Sequence, residues 1–253
     1  MGINLEFVDT MLELGRLGRL ASHRNVIELG AQDISADPCA VARRLAQAGF
    51  GSTAEPVAMA AELYRRLGYA GYAAIDANGA HGALALDLNR DLAAQGFAAT
   101  FDLVTNLGTI EHCFDQAAAF RNMHRLCRPG GLMIHCLPAQ GLVNHGFYNY
   151  HPRFVADLAA ANGYAIEQLF FTVDFHPERY RYGIDLFRAH DTRDLLLYAV
   201  LGRRDGADFR NPFDGMFAAE NRVGYTAAGD QAAVLAGEFQ PYVRSSWDNV
   251  RRG

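Results

Sequence analysis

The chain has 253 residues, with 23 basic and 28 acidic side chains and a formal net charge of −5. Half of the residues are hydrophobic and a fifth are charged, which is typical of a folded globular protein and excludes disordered, collagen-like and coiled-coil chains. Every basic side chain is an arginine, because the sequence contains no lysine. This absence excludes Schiff-base lysine chemistry, a pyridoxal-phosphate anchor and a lysine-containing phosphate loop.

The arginines are scattered along the chain, so we expect no nucleic-acid-binding face. The four cysteines lack C-x-x-C spacing, which indicates reduced thiols and neither a zinc site nor a disulfide framework. No apolar run reaches the roughly 18 residues that suggest a membrane span. Acidic residues interrupt the apolar pattern of the N-terminus, unlike in a signal peptide. We therefore expect a cytoplasmic protein that binds neither nucleic acid nor membranes.

Hydrophobic periodicity predicts helices alternating with strands. An amphipathic helix is predicted over residues 4–20, and Asp37-Pro38 marks another helix start, with an N-cap followed by proline. Further helices are predicted over these segments: 55–68, 114–127 and 152–161. Strands are predicted over these segments: 25–30, 72–76, 83–87, 101–106, 132–137, 165–173 and 195–201. The alternation predicts an α/β fold with a mostly parallel sheet of seven strands and helices on both faces.

Polar residues follow the first four of these strands. Glu28 and Gly30 end the first strand, Asp76 the second and Asp87 the third, and the segment Asn106–His112 follows the fourth. Ligands of open α/β sheets bind beyond the carboxyl ends of the strands. A glycine there lets a ligand approach the backbone, and a carboxylate can accept hydrogen bonds from both hydroxyls of a ribose. Each residue alone also suits a turn or a helix cap, but four in register favour a ligand site.

The sequence resembles the class I S-adenosylmethionine (SAM)-dependent methyltransferases over most of residues 24–203. The resemblance is carried by the following segments: Val26–Gly30, Ile75-Asp76, Phe101–Asn106, Glu111-His112 and Phe120–Ile134. The last of these is the most specific, because it contains an Arg-Pro-Gly-Gly turn that leads a helix into a strand. The resemblance implies a Rossmann-like fold, methyl transfer as the activity, SAM as the cofactor and S-adenosylhomocysteine as its product.

The resemblance also implies which residues bind SAM: Glu28, Gly30, Ala31, Gln32, Asp76, Asp87, Leu88, Asn106, Leu107 and Gly108. The first loop departs from the family, because it has one glycine where two or three are usual. Gly30 and Asp76 are 46 positions apart, so an extra helix is expected between them. Only ten residues lie between Asp76 and Asp87, so the helix that normally joins these strands is expected to be missing.

A dinucleotide-binding loop is the alternative to a SAM site. That loop needs the pattern G-x-G-x-x-G, with a pyrophosphate on the helix N-terminus. Here Gln32 and Asp33 stand in place of glycines, and Asp33 would repel a phosphate. SAM carries a positive sulfonium, which suits an acidic loop, so SAM is favoured over NAD.

His112 and His145 are the candidate catalytic residues, because transfer of a methyl group to a hydroxyl gains from a general base. His112 follows the fourth predicted strand, and His145 lies in an aromatic loop after the strand at 132–137. A purely structural role is the alternative for each. Four further residues are candidates for binding the substrate: Glu111, Tyr148, Tyr150 and Arg181. The spacing of Glu111, His112 and His145 matches no metal-ligand pattern, so we expect no metal.

The domain prediction is a methyltransferase domain over residues 1–204 and a C-terminal extension over 205–253. Aromatic residues spaced through the extension predict that it packs on the core or on a partner subunit, in a homodimer. We expect the protein to methylate a small-molecule acceptor on a hydroxyl oxygen. The alternative is a non-catalytic subunit with the same fold that binds SAM or a partner protein.

Overall fold

The computed structural model describes residues 2–51 and 55–216, and within them six strands form one sheet. The strands are β1 Asn25–Leu29, β2 Gly71–Ile75, β3 Phe101–Leu107, β4 Cys127–Gln140, β5 Ala165–Val173 and β6 Leu195–Gly202. The helices are α1 Leu5–Arg16, α2 Pro38–Gln47, α3 Ala60–Arg66, α4 Gln116–Leu126, α5 Pro152–Asn162 and α6 Ile184–Ala189. Short 3-10 turns lie at Ala80–Gly82, Ala93–Gln95 and Ile110–His112.

The order of strands across the sheet is β2-β1-β3-β4-β6-β5. Strands β2, β1, β3 and β4 pair in parallel, whereas β6 runs antiparallel to both of its neighbours. The chain leaves β1 towards β2 on one side and returns to β3 on the other side. Strand order therefore reverses between β1 and β3, which is where open α/β sheets bind their ligands.

Helices cover both faces of the sheet, as the sequence predicted. Successive residues of a strand point to opposite faces, so β4 sends Ile134 into one core and Met133 into the other. Helices α1, α2 and α3 pack on the first face, and α4 and α5 pack on the second. The α/β Rossmann-like fold with a mostly parallel sheet is confirmed.

The expectation of seven strands is one too many. The predicted strand at 83–87 makes only one bridge within the sheet, where Leu84 lies parallel to Ile75. Its apolar alternation resembles a strand, but the side chain of Gln95 takes up both backbone hydrogen-bonding groups of Asp87. These local bonds hold the segment as a turn. The link between β2 and this segment holds a single 3-10 turn, so the expected absence of a helix there is confirmed.

Two predicted helix starts have clear physical causes. The Asp37 carboxylate accepts hydrogen bonds from the backbone N–H groups of Cys39 and Ala40, each at 3.1 Å, with Pro38 as the first helical residue of α2. The side chain of Asn4 accepts a hydrogen bond from Phe7 N–H at 2.9 Å and caps α1. The extra helix expected between Gly30 and Asp76 is α3.

The first part of the predicted C-terminal extension, residues 205–216, lies against α4 and α5. The Asn162 side chain exchanges two hydrogen bonds with the backbone of Arg210, at 2.8 and 3.0 Å. Phe209 packs edge-on against His124, with ring centroids 5.6 Å apart. The remainder of the extension, residues 217–253, lies outside the described residues. Among the helices that are described, none is long and apolar enough to cross a bilayer.

Candidate active site

The loops after β1 and β3 meet at the point where strand order reverses. Gly30 and Gly108 both have left-handed backbone, with φ of +81° and +83°, which glycine adopts without strain. A Cβ at Gly30 would collide with the Thr109 hydroxyl and would come within 2.8 Å of the Gln32 amide nitrogen. Glycine at position 30 therefore allows the two loops to close on each other.

Hydrogen bonds tie these two loops together. The Thr109 hydroxyl donates to Leu29 O at 2.6 Å and accepts from the Gln32 side chain at 3.1 Å. Sequence reasoning did not single out Thr109, although its position directly after Gly108 offered a signal. In this conformation the side chains of Gln32 and Thr109 cover Gly30.

The Asp76 carboxylate lies beside the first loop. One oxygen accepts a hydrogen bond from Ala31 N–H at 3.2 Å, and the other accepts one from Asn78 N–H at 3.1 Å. Asp76 is half-buried, so each oxygen keeps room for a further donor. This geometry fits the ribose hydroxyls of SAM, which are hydrogen-bond donors that need a carboxylate acceptor.

Glu28 is fully buried beneath the loop after β1. The hydroxyls of Tyr64 and Tyr72 each donate to its carboxylate at 2.9 Å, and Gln32 N–H donates at 3.4 Å. Burial raises the pKa of Glu28 to about 7 despite these bonds. This network lies beneath the loop after β1 and fixes its position.

The other predicted cofactor residues lie in two places: Asp87 and Leu88 in the segment after β2, and Asn106 and Leu107 at the end of β3. Asp87 accepts two hydrogen bonds from Asn89, which hold the pKa of its carboxyl below the usual range, and Leu88 is buried in the core. Asn106 is fully buried, and its side-chain oxygen accepts from Thr109 N–H at 3.3 Å. Leu107 packs into the core on the α1 face. Asn106 thus shapes the turn at Gly108.

Glu111, His112 and His145 converge at the same edge of the sheet, and we refer to them as the Glu111 cluster. Nε2 of His145 lies 3.4 Å from Glu111 Oε1, and Nε2 of His112 lies 3.9 Å from the same oxygen. The two imidazole rings meet edge to face, with centroids 4.9 Å apart. Two histidines that are 33 positions apart in the sequence therefore face one carboxylate.

The Glu111 cluster contains buried polar atoms that are not satisfied by hydrogen bonds. Glu111 is 0% exposed, and neither of its carboxylate oxygens has a hydrogen-bond partner among the described residues. Burial raises the pKa of Glu111 to about 7 and lowers the pKa of both histidines, with the His145 charge adding to the effect on His112. The lowered pKa values favour the neutral imidazoles, which can accept a proton or bind a metal ion.

The loop that carries His145 is fixed from two sides. Leu142 and Asn144 have left-handed backbone, with φ of +50° and +65°, a conformation that costs free energy for residues other than glycine. The Asp194 carboxylate holds this loop by accepting from Leu142 N–H at 2.7 Å. Phe147 N–H donates to the backbone oxygen of Glu111 at 2.9 Å. No sequence signal links Asp194 to this loop, because it lies about 50 positions away.

The remaining predicted substrate-binding residues, Tyr148, Tyr150 and Arg181, differ in how far they are exposed. Tyr148 is half-buried and donates to Phe114 O at 2.9 Å, whereas Tyr150 is buried in the core and donates to Gln116 at 2.6 Å. Arg181 is exposed, in the segment between β5 and α6.

Arg179, in the same segment, binds helix α1. Its guanidinium contacts Glu6, donates to Glu13 at 2.5 Å and lies 4.4 Å from the ring centroid of Phe170. The segment between β5 and α6 is thereby attached to α1.

A cavity of ≈ 320 Å³ opens between α1 and the ends of β4 and β6. Its wall includes Asn4, Glu6, Cys136, Phe175 and Leu196. Burial raises the pKa of the Cys136 thiol to about 12, and the nearby charge of Glu111 adds to this shift. The volume of the cavity suits a small molecule.

Three solved structures to which this chain is similar are remote in sequence. StiE O-MT residues 961–1257 are 13% identical, with a TM-score of 0.41, over 92% of this chain and 83% of that one. An O-methyltransferase family protein of Burkholderia thailandensis is 15% identical, with a TM-score of 0.42, over 79% and 56% of the two chains. The 1,6-didemethyltoxoflavin-N1-methyltransferase of the same organism, with S-adenosylhomocysteine bound, is 16% identical, with a TM-score of 0.41, over 78% of each chain. We draw no functional conclusion from likeness at this level.

A family model gives the decisive match. No curated protein matches this sequence. The model of the family described as "Methyltransferase domain" matches residues 9–169, which include β1 to β4 and both loops at the switch of strand order. Because this match covers more than half of the chain, the protein belongs to the methyltransferase-domain family and is a SAM-dependent methyltransferase of class I.

Proposed function

We propose that this protein transfers the methyl group of SAM to a hydroxyl oxygen of a small-molecule acceptor. The observation that carries the proposal is the Glu111 cluster, in which two imidazoles face a buried carboxylate at the edge where the parallel strands β1 and β3 end. A cavity of ≈ 320 Å³ between α1 and the ends of β4 and β6 has a volume that suits an acceptor of modest size.

In this proposal Asp76 accepts hydrogen bonds from the ribose, and the loop from Gly30 to Gln32 lies along the methionine part of the cofactor. The acidic surroundings favour a cationic cofactor over a phosphate-bearing one. When bound, SAM supplies an electrophilic methyl group on a positively charged sulfur.

His145, or His112 beside it, acts as the general base. The ring nitrogen that does not face Glu111 takes the proton of the acceptor hydroxyl. Bound SAM would supply the methyl group to the acceptor oxygen, with the electron pair of the broken carbon–sulfur bond staying on sulfur. Glu111 stabilises the imidazolium that results, because its carboxylate lies 3.4 Å from Nε2 of His145. Tyr148 and Arg181 remain candidates for acceptor contacts at the rim.

The test starts from a screen of acceptor fractions with methyl-labelled SAM, with the product identified by mass spectrometry. Single-turnover rates are then compared for wild type, His112→Ala and His145→Ala. Loss of the true base should lower the rate by roughly 10²–10⁴-fold with SAM affinity unchanged. Asp76→Ala should instead weaken SAM binding, by about 1.5–3 kcal/mol of binding free energy.

Two results would overturn parts of this proposal. If both histidine variants keep wild-type rates, neither residue is the base. If the screen yields only products methylated on nitrogen or carbon, the hydroxyl acceptor is wrong. The variant Asp185→Ala is the control for Asp76→Ala and should leave SAM binding unchanged, since Asp185 carries the same charge but is exposed on α6, outside the loops after β1 and β2.

A further inference from the structure

Three metal-ligating side chains meet in the Glu111 cluster, one carboxylate and two imidazoles. Their nearest ligand atoms all lie within 4.8 Å of one another. We propose that Glu111, His112 and His145 form a binding site for one divalent transition-metal ion. This inference differs from the sequence-based expectation of no metal, which rested on spacing along the chain alone.

The distances in the cluster are close to those of a metal site. Zinc bonds to imidazole nitrogen and carboxylate oxygen are about 2.0–2.2 Å long, so two ligands of a tetrahedral ion lie roughly 3.4 Å apart. Glu111 Oε1 lies 3.4 Å from Nε2 of His145 and 3.9 Å from Nε2 of His112. Small side-chain rotations therefore suffice to bring all three atoms onto one ion.

The ligand set selects the class of ion. Two imidazoles with one carboxylate suit zinc, iron, cobalt or nickel, whereas magnesium and calcium prefer sites built from oxygen ligands. Three protein ligands also leave at least one coordination position open. We therefore expect the site to bind Zn²⁺ or Co²⁺ and not to bind Mg²⁺.

The unsatisfied atoms provide an independent argument for a cation. Glu111 is 0% exposed with both oxygens unpartnered, and Nε2 of His145 is also buried without a hydrogen bond among the described residues. Buried polar atoms in folded proteins are nearly always satisfied, so atoms like these need an explanation. One metal ion would satisfy the facing lone pairs of all three residues.

The histidine–carboxylate pair of His81 and Asp33 provides a contrast. Its atoms lie 3.5 Å apart, but both side chains are more than half exposed and can be hydrated. That pair has no unsatisfied buried atom and no third ligand within the described residues. His81 is therefore a matched control for His112 and His145.

The metal site uses the same residues as the proposed function but does not depend on the proposed reaction. An ion on Nε2 leaves the single ring proton of the neutral imidazole on Nδ1, so no lone pair remains for a general base. The metal-bound and proton-accepting forms of His145 therefore exclude each other. If His145 is the base, added Zn²⁺ should inhibit methyl transfer, and a chelator should restore it.

The experiment is a metal titration of the chelator-treated full chain, without SAM or acceptor. Zn²⁺ affinity is measured by competition with a chromophoric chelator, and Co²⁺ is added separately to record its visible absorption. We expect one ion per chain, cobalt absorption bands that report nitrogen and oxygen ligands, and no competition by Mg²⁺. His112→Ala and His145→Ala should each weaken Zn²⁺ binding at least tenfold, whereas His81→Ala should leave it unchanged.

Glu111→Gln tests the carboxylate, and Glu111→Asp retains the charge if the glutamine variant fails to fold. Absence of Zn²⁺ binding to the wild-type chain would overturn the inference, as would binding that survives His112→Ala and His145→Ala. Because the titration contains no SAM, its failure is separate from a failure of methyl transfer.

Discussion

The loop after β1 and the Glu111 cluster lie at the same edge of the sheet but differ in how their polar groups are satisfied. Around Gly30, the hydroxyl of Thr109, the amide of Gln32 and the carboxylate of Asp76 all have hydrogen-bond partners. In the Glu111 cluster the carboxylate oxygens have none among the described residues. The loop after β1 is stabilised by its own hydrogen bonds. The Glu111 carboxylate, by contrast, gains a partner only from a proton, a bound acceptor or a metal ion.

The largest expected effect on stability comes from Gly30→Ala, which disturbs the hydrogen-bonded loop after β1. The new methyl group would collide with Thr109 in a left-handed backbone, so we expect a loss of roughly 3 kcal/mol in the free energy of unfolding and weaker SAM binding. Gly130→Ala is the control, because Gly130 has the same φ of +81° with no atom near the added carbon. It should lose only about 1 kcal/mol. Equal losses in denaturant titrations would show that the collision is not the cause.

A smaller effect is expected from Gly146→Ala, which acts on the Glu111 cluster. Its added carbon would lie 3.0 Å from Glu111 Cγ, so the two loops must separate by a few tenths of an ångström. We expect single-turnover rates to fall roughly tenfold, since catalysis is sensitive to small misplacements, with SAM affinity unchanged. Gly206→Ala, whose added carbon is 4.0 Å from its nearest neighbour, should have no effect. A fall in SAM affinity for Gly146→Ala would mean that the two regions are coupled.

The smallest effect is a pH dependence of the free energy of unfolding, which originates at Glu28 beneath the loop after β1. The pKa of Glu28 is raised by burial from 4.5 to about 7, so the folded state binds a proton that the unfolded state releases. Its contribution to stability is present at low pH and is lost as pH rises through 7. In thermal or denaturant unfolding, we expect Glu28 to contribute a loss of about 1 kcal/mol in the free energy of unfolding between pH 6 and 8.5, and Glu28→Gln to remove that contribution. Glu111, whose pKa is also raised to about 7, retains its own contribution in this variant.

Glu62→Gln is the control for this pH dependence. Hydrogen bonds from Arg65 and Arg66 lower the pKa of Glu62 to about 2, so its stabilising effect is lost only in acid. The variant should therefore leave the profile between pH 6 and 8.5 unchanged. A wild-type profile that is flat over this range would contradict the assignment to Glu28.

The sequence was sufficient where local chemistry decides the structure. Asp37-Pro38 predicted the start of α2 because an N-cap and a proline act within one turn. It failed at 83–87, where an alternation typical of a strand is overridden by bonds from Gln95. The sequence placed His112 and His145 after the correct strands, but it could not show that their rings meet. That meeting depends on the left-handed backbone at Leu142 and on Asp194, and no local pattern encodes either.

The bond between Arg179 and helix α1 has a consequence for exchanging parts between relatives of this protein. Arg179 forms an ion pair with Glu6, which is only 2% exposed. Replacing either residue alone would leave the other without its charge partner and would lower the stability of the fold. A chimera that takes residues 174–183 from a relative must therefore take that relative's first helix as well. We therefore expect substitutions in α1 and in this segment to be coupled in their effect on stability, although more than 150 residues separate the two in the chain.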